Sequence, residues 1–183
     1  AEEGAELYRQ VFPGAVTSVA SRYPTEGLPD FQRGLEGRPV VVNVEVDGFE
    51  VALINAGANY RPGIATSFMV NMDPLFFGGD TAAATERLDQ MWHLLSEGGE
   101  IRMPLGEYPF SARYGWVEDR FGVNWQLMLT DPAGEPRPFL IPSLLFSGPA
   151  QNRAREAMEF YAELFNDAHV GFIAPYPQQS GPA

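Results

Sequence analysis

Apolar residues recur at two different periods along this chain, and the changes of period mark its elements. Ala5, Tyr8, Val11 and Phe12 fall on one face of a helix over residues 1–12, which Pro13-Gly14 ends. Residues 16–23 read as a strand closed by Pro24, and residues 25–39, dense in Gly, Pro and charge, as a loop. Two strand-like runs, 40–46 and 49–55, flank Asp47-Gly48; both turn positions need positive φ, so this pair is a strong hairpin signal. After a loop at 57–63, strict alternation over 64–72 predicts a strand. Its Ile64, Thr66, Phe68, Val70 and Met72 face one way, and Ala65, Ser67, Met69 and Asn71 the other. Residues 73–79 break the chain, and Asp80 or Thr81 can cap a helix running to about Glu97. Ala84, Leu88, Met91, Trp92 and Leu95 form its core-facing stripe, and Gly98-Gly99 supplies the stop. The 100–111 region leads into two short strands, 112–118 and 123–129, with a turn at 119–122 between them.

The chain also repeats itself. Residues 1–29 align without a gap to residues 154–182, at an offset of 153. The identities include Tyr8/Tyr161, Phe12/Phe165, Tyr23/Tyr176, Pro24/Pro177 and Pro29/Pro182, with Val11/Leu164 and Leu7/Phe160 conservative. Chance likeness of two amphipathic helices accounts for the helical positions but not for the matching Tyr-Pro a dozen residues on, so duplication is the stronger reading. Before the second copy stands a strand-like run, FLIPSLLFSG, at 139–148; nothing like it precedes Ala1. The expected organisation is therefore a domain at 1–130 lacking its first strand, a proline-rich linker at 131–138, and the start of a second, incomplete copy at 139–183. A sheet edge left vacant is an association hazard, and residues 139–146 are expected to fill it, in their own chain or in a neighbour by swapping. The element order is then (missing β)αβββ followed by βαβββ. It implies an α+β protein of paired βαβββ units, with both helices on one sheet face and the other face free to line a cleft.

Composition narrows the function. Cysteine is absent, so no disulfide, thiolate metal site or cysteine nucleophile exists. Asp plus Glu number 24 against 12 basic residues, a net charge of −12 that repels phosphate backbones and anionic lipid; nucleic-acid and membrane partners are excluded. With 45% hydrophobic residues the chain can build a core, and the expected setting is cytoplasmic.

The helix AEEGAELYRQVFPGA, the hairpin VDGFEVALINAG, the strand ATSFMVNMD, the helix TERLDQMWHLLSEGGE and above all YGWVEDRFGVNWQL resemble the PhnB-like family. That family belongs to the vicinal oxygen chelate superfamily, with the glyoxalase and bleomycin-resistance proteins, and often carries a demethylubiquinone methyltransferase label. The resemblance implies the glyoxalase/bleomycin resistance/dioxygenase fold, a curved mixed sheet with helices on its outer face, and a homodimer. No glycine-rich strand–turn–helix followed by an acidic ribose-binding position, as a nucleotide site would need, is present.

Metal-dependent members of the superfamily place His and Glu on cleft-facing strands, where a divalent ion polarises substrate oxygens. Here the only histidines are His93, on a helix, and His169, in the incomplete copy. The resemblance puts Gln126 where metal-binding relatives carry Glu, and an amide lacks the balancing charge. No metal and no other cofactor is expected. The cleft-facing residues are instead amides, a hydroxyl and thioethers: Asn55, Ser67, Met69, Asn71, Asn124, Gln126 and Met128. Neutral donors and acceptors among apolar groups suit a small polar organic ligand, although the same amides can also simply satisfy one another within the sheet. Tyr114, Trp116 and Trp125 can stack on a ring or belong to the core, and Arg120 at a cleft mouth can meet a carboxylate. Glu118 and Asp119 sit in a turn, where water is expected to solvate them. The expected ligand-binding set is Asn55, Ser67, Asn71, Trp116, Arg120 and Gln126, in a metal-free small-molecule binder. The alternative is a metal-dependent lyase, isomerase or dioxygenase of the same superfamily.

Overall fold

A computed structural model describes residues 1–56, 60–134, 137–171 and 173. They divide into two units, Ala1–Leu144 and Leu145–Ala183.

The first unit opens with α1 (Glu2–Val11), whose Glu2 and Glu3 in the first turn and Arg9 in the last oppose the helix dipole favourably. A three-stranded antiparallel sheet follows, β1 (Val16–Arg22), β2 (Pro39–Val46) and β3 (Phe49–Ile54), in the order β1-β2-β3. The β2–β3 hairpin turns at Asp47-Gly48 with φ of 50° and 77°, the mirror-image turn that this pair predicts.

Next come β4 (Thr66–Met72), α2 (Thr81–Ser96), β5 (Glu100–Tyr108), β6 (Ser111–Glu118) and β7 (Asn124–Leu129), a complete βαβββ unit. Asp80 caps α2 by accepting from the backbone N–H of Ala82 and Ala83 at 2.9 and 3.0 Å. The strands form a mixed sheet in the order β5-β6-β7-β4-β8, where β8 is Leu140–Leu144. β4 runs parallel to β7 and antiparallel to β8. Residues 140–144 thus occupy the sheet edge beside β4 in their own chain. Pro142 is tolerated there because an edge strand can spare one N–H.

Residues 100–111, which carry no legible element in the sequence, contain the longest strand of this sheet. Pro104 and Gly106 interrupt its pattern, and its pairing with β6 slips three times, between Ile101 and Met103 and on either side of Gly106, so no simple alternation survives.

One core lies between the sheets and the helices. α2 buries Ala84, Leu88, Met91 and Leu95, the stripe read from the sequence, against Val117 and Leu127; α1 buries Leu7, Tyr8 and Val11 over Val42 and Val44. Trp125 sits at the centre, its ring 5.1 Å from Tyr8, 5.4 Å from Phe12 and 5.1 Å from Phe68. Gly115 is required by α2: a Cβ there would lie 2.5 Å from Trp92.

In the second unit, α3 (Ala154–Leu164) is the only helix longer than a single 3-10 turn among the described residues. The Tyr176, Pro177 and Pro182 identities of the repeat lie outside the described residues. No described helix is long and apolar enough to cross a membrane.

Candidate functional site

Strand alternation puts Ser67, Met69 and Asn71 of β4 on the sheet face opposite the helices, and register sets them beside Asn124, Gln126 and Met128 of β7. Across β7, Trp116 pairs with Gln126, Tyr114 with Met128 and Glu118 with Asn124. Three adjacent strands, β4, β7 and β6, thereby bring one continuous polar face together.

Two hydrogen-bonded chains cross that face. In the first, Tyr114 donates its hydroxyl to Gln126 Oε1 at 2.6 Å, and Gln126 Nε2 donates to Ser67 Oγ at 2.7 Å. Burial, with the neighbouring Tyr108 second, pushes the Tyr114 phenol up to about 12, so it stays a neutral donor at physiological pH. Ser67 accepts from the amide and keeps its own hydroxyl hydrogen to donate. In the second chain, Trp116 Nε1 donates to Asn124 Oδ1 at 3.1 Å, Asn124 Nδ2 to Glu118 Oε2 at 3.4 Å, and Arg102 Nη2 to the same oxygen at 2.6 Å. Glu118 is thus committed to a guanidinium, whose Nη1 also donates to Glu100, the cross-strand neighbour of Glu118 on β5, at 2.7 Å.

Asn71 lies on the same face, fully buried; its Nδ2 donates to the carbonyl of Pro138 at 2.8 Å, and its Oδ1 has no partner. Asn55 lies elsewhere. It donates to Glu2 and to the carbonyl of Pro39 and accepts from the amino group of Ala1, tying β3 to the start of α1. Arg120 is exposed in the β6–β7 turn, its guanidinium 5.3 Å from the ring of Phe121. Trp125 faces the helices and belongs to the core.

Asp119 corrects the sequence reading: it is only 3% exposed. Its carboxylate accepts four hydrogen bonds, from Tyr8 Oη at 2.8 Å, Trp125 Nε1 at 2.9 Å, and the backbone N–H of Phe121 and Val123 at 2.8 and 3.1 Å. Those donors replace the water assumed for a turn residue. The pairing with Tyr8, distant in sequence, leaves no local signature. Burial and the Asp119 charge hold the Tyr8 phenol well above its ordinary range.

The chemistry of this face does not suit a divalent ion. The three amides Asn71, Asn124 and Gln126, one hydroxyl and two carboxylates that share Arg102 lack the uncommitted anionic ligands such an ion needs. Among the described residues no three His, Cys, Asp or Glu side chains gather to hold a metal, and His93 is exposed on α2. A cavity of about 550 Å³ borders the face between β3 and β4, lined by Tyr8, Leu53, Tyr60, Phe68, Phe121 and Asn124. A shallower concavity of about 900 Å³ runs along the outer side of α2 past Thr85, Asp89 and His93 and shares no residue with the polar face.

The family described as 3-demethylubiquinone-9 3-methyltransferase matches residues 1–128. A solved PhnB protein of Bacillus cereus, whose description carries the same methyltransferase label, is 31% identical over 70% of this chain and 90% of its own, with a TM-score of 0.57. Protein PA1353 of Pseudomonas aeruginosa shares the fold at 21% identity, over 70% and 88% of the two chains, with a TM-score of 0.53. A glyoxalase-related enzyme of Fulvimarina pelagi is 16% identical over 80% and 90%, with a TM-score of 0.42, too distant in backbone path to bear on function. No curated protein matches the chain.

Proposed function

The chain belongs to this PhnB-like family, and from that premise we propose that it is a metal-free small-molecule-binding protein of the glyoxalase/bleomycin-resistance fold. Its ligand is a small polar organic molecule held on the face of Ser67, Trp116 and Gln126. The observation that carries this reading is Gln126. At the strand position where a metal-binding relative would need a carboxylate, an amide spans Tyr114 and Ser67 and leaves a serine hydroxyl free to donate. A neutral, prearranged set of donors and acceptors beside an indole ring favours a neutral polar group over an ion. The methyltransferase label of the relatives finds no nucleotide-binding motif in these residues.

Elemental analysis of the dialysed protein, paired with thermal shifts against a library of small polar compounds, tests the reading. Less than about 0.1 equivalent of divalent ion is expected, and a ligand that binds the folded state raises the melting temperature by mass action. That shift should vanish in Gln126→Leu. A stoichiometric ion lost on substituting Glu118 or Gln126 would overturn the reading in favour of a metal-dependent lyase, isomerase or dioxygenase.

A further inference from the structure

On the helix side of the sheets, away from the polar face, a cavity of about 540 Å³ opens where α1 ends. Phe12, Phe76, Phe77 and Phe139 line it, together with Val46 and Met72 at the ends of β2 and β4. Phe139 holds two of the other rings edge-on, Phe12 at 6.2 Å and Phe76 at 6.0 Å, so the wall is a cluster of aromatic edges and faces.

Into this wall comes one cation, Arg87 of α2. Its Nη2 donates to the carbonyl of Val11, in the last turn of α1, and its Nη1 to Gln90 Oε1 at 3.2 Å. Both acceptors are neutral. Arg87 is half-buried, and burial alone pulls its pKa down, with no carboxylate acting to hold the charge. Asp47, in the hairpin turn, is the one acid in the lining and forms no ion pair with it among the described residues. In a chain where acids outnumber bases two to one, a partly desolvated guanidinium without an acid stands out. These two bonds use two of its donors, and a guanidinium has five.

We propose that this cavity is a second binding site, for an aryl carboxylate. The acid group pairs with Arg87 and the ring lies among Phe12, Phe76 and Phe139. A cavity of this size falls within the range that holds a ring system of about ten to twenty heavy atoms. The site shares no residue with Ser67, Trp116 or Gln126, so it stands or falls independently of the function proposed above.

Calorimetric titration of the full chain with 2-naphthoate, and with its neutral twin 2-naphthamide, tests the assignment. Naphthoate should bind saturably at one site, and about tenfold more weakly to Arg87→Gln, the loss expected for one charge-assisted contact. Naphthamide should bind weakly and respond little to that substitution. Phe76 is more than half exposed, so Phe76→Ala keeps the fold and should weaken both probes alike. No binding of naphthoate, or equal binding to the unaltered protein and Arg87→Gln, overturns the proposal. If Arg87→Gln fails to fold, binding that ignores Phe76→Ala overturns it as well.

Discussion

Tyr8 and Tyr161 stand at equivalent places in two helices that align residue for residue, yet Tyr8 is 3% exposed and Tyr161 39%. Phe12 and Phe165 differ more, at 2% and 63%. Both helices carry the apolar stripe of a core-facing helix. In the first unit that stripe meets Val42 and Val44 of β2 and the ring of Trp125, and Tyr8 finds Asp119. The second unit has no strand among its described residues for α3 to cover. An amphipathic pattern therefore states which face of a helix can be buried, and burial needs a sheet whose own apolar face is turned toward it.

The largest effect that could break this contrast comes from matched truncations. Phe12→Ala should cost about 3–5 kcal/mol in denaturant unfolding, the loss for a large buried aromatic. Phe165→Ala should cost less than about 0.5 kcal/mol, as for an exposed position. Equal losses would mean that α3 is covered in solution. Removing only the hydroxyl sharpens the comparison. Tyr8→Phe takes one donor from a buried carboxylate and should cost about 1–3 kcal/mol, while Tyr161→Phe should leave the midpoint unchanged.

A third pair runs in the other direction. Gly4 of α1 corresponds to Ala157 of α3, and a Cβ at Gly4 would meet Leu53 at 3.6 Å and Phe121 at 3.8 Å, ordinary contacts. Gly4→Ala should thus raise stability by up to about 1 kcal/mol through helix propensity. A loss on thermal melting would show that the α1 site cannot accept the residue its twin carries.

The smallest effect is in pH. The hydrogen bond from Asn55, then its own backbone N–H and the cations at Ala1 and Arg38, lower the Glu2 carboxyl from 4.5 to about 2. Its folded value lies below its unfolded one, so this contribution is fully present above about pH 5 and fades as pH falls toward 2. Glu2 is well solvated, so the contribution should stay under about 1 kcal/mol and shrink with salt. Acid titration of the melting temperature, compared with Glu2→Gln at low and high salt, measures it. An identical acid slope in the two proteins would remove Glu2 from the account.

Much of the fold was legible because its signals are local. The α2 stripe, the Asp80 cap, the Asp47-Gly48 turn and the alternation of β4 each depend on residues close in sequence. β5 has no such local signal, because Pro104, Gly106 and three register slips erase the period that marks a strand. At the site, alternation placed Ser67, Asn71, Asn124 and Gln126 on one face, since a strand's period of two sorts them without knowledge of the partner. Asn55 does not join them: it follows β3, in the other sheet, and its side chain answers to Glu2 and Pro39. Asp119 looked like an ordinary turn acid because the donors that satisfy it include a side chain from α1, more than a hundred residues away.

By itself the sequence determined the α1 and α2 helices, the hairpin, the family to which the chain belongs, and a composition with no cysteine and two histidines. Each follows from residue type and short-range spacing. Only the tertiary structure decided that 140–144 pairs with β4, that Tyr8 and Trp125 converge on Asp119, and that Arg87 and four phenylalanines line one cavity. Those outcomes depend on which strand lies beside which and on where water is excluded, and both are set by long-range packing.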